Sequence, residues 1–156
     1  MDHMEKRVYT TAEIARIIGK SIHKTISYVN RGYTKPSIQD ASGHGSKRLW
    51  SYSDVVRMCF IMHLEDIGLK VEKIREMAEG MAEDRLAEHC VWSIDIEMRG
   101  DADVLHNLAD SKPYVPPSIT IPAKDFERCP GKIVFSMSHL HAWARKKIEA
   151  EVEDVS

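Results

Sequence analysis

At 156 residues, with 43% hydrophobic and 29% charged side chains, the chain has the composition of one ordinary folded domain, or of two small ones sharing a core, and not of a disordered segment. No apolar run approaches the ~20 residues that cross a bilayer, and the opening MDHMEKR lacks a signal peptide's apolar centre, so neither a membrane span nor secretion is expected. The net charge of −2 hides an asymmetry: residues 1–80 carry thirteen Lys or Arg against ten Asp or Glu, and residues 81–156 carry nine against fourteen.

From Lys6 to Arg48 the imbalance is sharper. Nine basic residues there face only Glu13 and Asp40, a local surplus of seven positive charges and the footprint of a surface for a polyanion. Within that stretch Thr10 and Glu13 form a T-x-x-E capping box, which starts a first helix at Thr11. Ala12, Ala15 and Ile18 face inward in this reading, Ile14 and Ile17 flank them, and Gly19 stops the helix. Ser21 caps a second helix in which Ile22, Ile26 and Val29 recur at i, i+4 and i+7, a buried stripe. The opposite face then shows His23, Lys24, Ser27 and Arg31, with Thr25 and Tyr28 at its margins and Lys20 and Ser21 at its start. Gly32 ends this helix and Pro36 prevents its resuming.

Two helices joined by a short glycine-containing turn make either a helix-turn-helix, whose second helix enters the major groove, or a helical hairpin with a solvated charged face. The next residues favour the first. Gly43 and Gly45 bracket His44, and Ser46, Lys47 and Arg48 lead into Leu49 and Trp50. That pattern predicts a β-hairpin with a basic tip, a wing beside the recognition helix, its returning strand anchored by Leu49 or Trp50. Ser51 and Asp54 cap a third helix over roughly 52–67 with Val55, Val56, Cys59, Phe60, Met62 and Leu64 inward, closed by Gly68. A fourth, from Val71 to about Glu79, buries Val71, Ile74 and Met77.

The order YTTAEIARIIGK, KTISYV, RGYTKPS, GSKRLWSYSDV and FIMHLEDIGLKVEKIREM resembles the DNA-binding domain of the MerR family of bacterial regulators over roughly residues 8–81. The resemblance implies a winged helix-turn-helix and a homodimer on a pseudo-palindromic operator of double-stranded DNA, often between promoter elements. Many members bend and untwist that DNA so that RNA polymerase engages, which makes polymerase a further candidate partner. By position, Lys24, Thr25 and Tyr28 fall where the family's recognition helix meets DNA, and Lys47 and Arg48 where its wing does. Ser27 stands in place of the usual arginine, Val29 in place of an aromatic, Lys70 in place of a small cap, and the turn into the second helix is one residue longer.

Beyond Gly80 the pattern changes. Residues 81–89 prolong the fourth helix or form a short fifth one, and no sustained heptad announces a coiled-coil arm. Val91–Ile96, Ile119–Ile121 and Ile133–Ser136 alternate as strands, SKPYVPPS between them is loop, and a last amphipathic helix capped by Ser138 presents Leu140, Trp143, Ala144 and Ile148. The acidic tail EAEVEDVS is expected to fray. Trp92, Tyr114, Phe126, Phe135 and Trp143 either line a small-molecule effector pocket or make the core of this half. The expected fold is therefore α+β, a mainly helical N-terminal winged helix-turn-helix (residues 1–80) followed by a small α+β domain (residues 81–156) for dimerisation, effector binding or both.

Catalytic and metal chemistry find little support. Cys59, Cys90 and Cys129 form no CxxC pair, which points to a reducing cytoplasm and not to a disulfide framework. His139 and His141, two apart on a helix, point in different directions, and no HExxH occurs. Pro130-Gly131-Lys132 lacks the upstream glycine and the following hydroxyl of a phosphate loop. No enzyme activity, metal or cofactor is expected. The candidate DNA-binding residues are Lys20, Ser21, His23, Lys24, Thr25, Ser27, Tyr28, Arg31, His44, Ser46, Lys47 and Arg48. The same winged fold would also serve an architectural protein or a phage packaging or excision factor.

Overall fold

In the computed structural model, which describes residues 2–96 and 131–155, the chain opens with α1 (Asp2–Glu5), β1 (Tyr9–Thr10) and α2 (Thr11–Ile18). The start of α2 is a capping box: the Thr10 hydroxyl accepts from the Glu13 backbone N–H, and the Glu13 carboxylate accepts from the Thr10 N–H at 2.7 Å. Gly19, at φ 66°, takes the left-handed turn that ends the helix. The inward face is Ile14, Ala15, Ile17 and Ile18; Ala12, expected among them, is only half-buried. After a short turn, α3 (Ile22–Asn30) starts at Ser21, whose Oγ accepts from the Lys24 N–H.

The core is organised by α4 (Tyr52–Asp66), in which eleven of fifteen residues are buried. A helix buried on so many sides must be wrapped by other elements, and α2, α5 (Val71–Glu79), a 3₁₀ turn (Glu83–Leu86) and a last helix, α6 (Met137–Val155), all pack on it. The 3₁₀ turn stands where α5 was expected to continue or a fifth helix to form. Gly80 halts α5, and Arg57 then holds the chain by donating from Nη2 to the Met81 carbonyl at 2.7 Å.

Strands β3 (Val91–Ile96) and β4 (Gly131–Ser136) pair antiparallel in a register running from Val91 opposite Ser136 to Ile96 opposite Gly131. The expected strand at 119–121, the SKPYVPPS loop, Tyr114, Phe126 and Cys129 lie outside the described residues. β4 runs straight into α6, and the Met137 N–H bonds to the Cys90 carbonyl. The strand pair thus sets the helix start at Met137, one residue ahead of the expected Ser138 cap.

Leu140, Ala144 and Ile148 of α6 are buried as expected, in one hydrophobic cluster with Phe60, Val56 and Ile17. Phe60 meets Phe135 and Trp92 edge-on at 5.1 and 5.4 Å, so two of the pocket candidates are core. Trp143 is half-buried with its ring against His63 at 4.9 Å. The acidic tail does not fray at its start: α6 continues to Val155, and buried Glu151 accepts from Arg16 at 2.7 Å and Arg7 at 3.4 Å. Two cations drawn from the basic half explain why these acidic turns stay helical. The fold is α+β and mainly helical, and the described parts of the two halves share a core.

Candidate nucleic-acid interface

The turn between α2 and α3, together with the loop that follows α3, decides which side chains of the basic stretch reach solvent. Leu49–Trp50 forms β2, which pairs antiparallel with β1 (Tyr9 opposite Trp50). On its other side Leu49 exchanges two backbone hydrogen bonds with Gln39, at 2.9 and 3.1 Å. The loop from Asp40 to Arg48 is thus closed at its base, the expected wing, though shorter in strand than a full hairpin. Trp50 is fully buried and donates from its indole nitrogen to the Thr11 hydroxyl at 3.1 Å, which locks the wing base to the start of α2. Asp54, also buried, accepts from the Ser37 N–H and Oγ and holds the outgoing side of the wing to α4. At the tip Gly43 and Gly45 take φ of 144° and 87°, and Ser46 Oγ donates to the Gly43 carbonyl while accepting from the Ser42 N–H.

Of the wing residues, His44 and Lys47 are exposed and Ser46 and Arg48 half-buried. Lys47 makes no ion pair among the described residues. Arg48 donates to Asp40 at 3.1 Å, and that contact, after the Ala41 backbone N–H, keeps the Asp40 carboxyl below its ordinary range.

On α3 the orientation differs from expectation. Thr25 and Tyr28, placed at the margin of the DNA-facing surface, are fully buried, whereas Ile22 is 48% exposed and Ile26 and Val29 are only half-buried. The helix is turned by about 100°, one residue's worth, because Tyr28 finds its partners inside the fold. Its ring lies 6.0 Å from Tyr33, and its hydroxyl reaches Glu65 at 3.4 Å. Burial, with the charge of Glu65 and Asp66 beside it, pushes the Tyr28 phenol well above its ordinary pKa. Thr25 donates its hydroxyl to the Ser21 carbonyl. Neither side chain meets solvent as placed.

The cations bordering α3 are also partly committed. Lys24 Nζ lies 2.5 Å from Glu65, Arg31 donates to the other oxygen of Glu65 at 3.2 Å, and Lys20 pairs with Asp66 at 2.7 Å. Ser27 is half-buried with its hydroxyl on the Lys24 carbonyl; Ser21 and His23 are exposed. Ile22 and Asn30, also exposed, were not among the expected contacts.

These elements converge. The first turn of α2 (Thr10, Thr11, Ala12), Ile22 at the start of α3 and Ser46, Lys47 and Arg48 of the wing line one groove of about 360 Å³. Two helix starts and two basic side chains on one face give partial and full positive charge together, an arrangement suited to phosphate. Residues 9–81, which contain every part of this face, match the model of the MerR HTH family regulatory proteins. Residues 9–81 are a MerR-type helix-turn-helix domain. The MerR-type domain is of a DNA-binding, transcription-regulating kind, and it takes up just under half of the chain. No curated protein matches the chain.

His141 of α6 is buried, with Nδ1 on the Tyr52 hydroxyl at 3.0 Å and Nε2 on the Leu86 carbonyl at 2.7 Å, while His139 is exposed. Cys59 is fully buried in α4, and burial alone pushes its thiol pKa up, which leaves it inert as a nucleophile. No group of three His, Cys, Asp or Glu residues able to hold a metal occurs among the described residues. Among them, too, no helix is long and apolar enough to cross a membrane.

Proposed function

We propose that the chain is a sequence-specific transcription regulator that acts as a homodimer on a pseudo-palindromic operator. The observation that carries this reading is the common face of α2, α3 and the wing, with Lys47 free to meet a phosphate. A single module of this size offers a small interface, and pairing two on adjacent half-sites multiplies specificity. Engagement of RNA polymerase at the same promoter completes the proposal, in the reducing cytoplasm where the free Cys59 and Cys90 belong.

The test is a gel-shift titration with the full chain and its variants. Lys47→Ala and Arg48→Ala are expected to weaken binding several-fold each and to reduce the slope of log affinity against log salt by about one. Neither should move the melting temperature, because neither side chain belongs to the core. Footprinting is expected to show protection of one palindrome near a promoter, with two chains bound. Unchanged binding in both variants would remove the wing from the interface.

A small-molecule effector for the second half fits a cavity of about 430 Å³ among Glu5, Ser51, Tyr52, Leu86 and His141, between α4, the 3₁₀ turn and α6. That volume is within the range of ligand sites, roughly 300–1,000 Å³. A second reading, an architectural or phage packaging or excision factor, draws support from α6. This helix folds back on α2 and α4 and does not extend away as a dimerisation arm. Dispersed protection in place of a single palindrome would favour it.

A further inference from the structure

The outward stripe of α3 has an unusual chemistry for a groove-reading surface. At about 100° per residue, the burial of Thr25 and Tyr28 turns Ile22, His23, Ile26 and Asn30 outward. Ile22 is 48% exposed, His23 and Asn30 are exposed and Ile26 is half-buried. Ile22 and Ile26 stand one turn apart, and Asn30 a further turn on. No arginine or lysine lies on this stripe. Lys24 and Arg31 border it on one flank and are held by Glu65, and Lys20 is held by Asp66. On the other flank Ile22 shares its groove with Lys47 and Arg48. The face therefore carries no lysine or arginine of its own and sets Ile22 and Ile26 beside the polar His23 and Asn30, between cationic edges.

The bases offer one apolar group in the major groove, the C5-methyl of thymine, and the amide of asparagine matches the N6 and N7 edge of adenine. Bidentate guanine reading needs a free arginine or lysine on the stripe, and none is there. We propose that α3 selects A·T base pairs in the major groove, with Ile22 and Ile26 packed on thymine methyl groups and Asn30 paired to adenine. The inference rests on the DNA-binding reading above and adds to it the class of sequence recognised.

The experiment selects duplex fragments from a random library with the full chain. The bound fragments are then remade with deoxyuridine in place of thymidine, one position at a time, which deletes only the methyl group. At one or two positions in each half-site the affinity is expected to fall about three- to fivefold, the worth of one buried methyl. That sensitivity is expected to vanish in Ile22→Ala or Ile26→Ala, which fold normally by melting temperature, while Asn30→Ala relaxes the preference at one A·T position. Selected half-sites whose thymines all tolerate the replacement, or whose central pairs are G·C, overturn this inference alone. A chain that retains no fragment overturns the DNA-binding reading and this inference with it.

Discussion

His63 shows how one buried side chain ties stability to pH. It lies in α4, is almost wholly buried and packs on Trp143. Burial pulls its pKa down from 6.5 to about 4. The folded state therefore holds the imidazole neutral, while the unfolded chain takes up a proton as the pH falls through 6.5. The contribution of His63 is complete above pH 6.5 and is lost progressively between 6.5 and about 4, a change of about 3 kcal/mol at its fullest. Melting temperatures followed from pH 7 to pH 4 should show this decline in the native chain and a shallower one in His63→Leu. Identical slopes would mean that other groups set the acid limb. The same scale shows what sequence reasoning could see. Caps such as Thr10 with Glu13 and Ser51 with Asp54 were legible because both partners lie within four residues. The Glu151 pairing with Arg7 and Arg16 spans more than 130 residues and leaves no local pattern.

Among the elements, α3 was legible in extent and cap but not in rotation. Two stripes compete on it, Ile22 with Ile26 and Val29, and Thr25 with Tyr28, and helical periodicity accommodates either. Tertiary packing decides: Tyr28 fits between Tyr33 and the end of α4, and the isoleucines are left outside. The wing was legible from its glycines and from Trp50, since a positive φ and a large ring returning to the core both leave marks in sequence. The acids facing the recognition helix were not. Glu65 and Asp66 are an ordinary solvated pair until the fold brings them against Lys20, Lys24 and Arg31. Glu65→Gln should therefore release Lys24 and Arg31, raise DNA affinity a few-fold at low salt and steepen the salt slope. Fluorescence anisotropy with a labelled duplex measures both, and an unaltered slope would show that these cations already reach phosphate despite Glu65.

At the scale of the molecule, the described residues of the second half do not stand apart from the MerR-type domain. Phe135, Met137, Leu140 and Ile148 continue the core built around α4, and Glu151 fastens the far end of α6 to α2. Glu151→Gln should lower unfolding stability by about 1–3 kcal/mol, tempered by the half-exposed Arg16, which water can re-solvate. Urea denaturation measures it, and an unchanged midpoint would show that apolar burial alone holds α6 in place.

The long reach of that carboxylate has a consequence for how the protein is made. Translation delivers the winged segment first; Arg7 already has Glu13 at 2.7 Å, but Arg16 stays uncompensated until Glu151 has left the ribosome. While still tethered, the nascent domain carries excess cationic character and lacks one wall of its interior. The arrival of α6 supplies the missing wall and the missing carboxylate together.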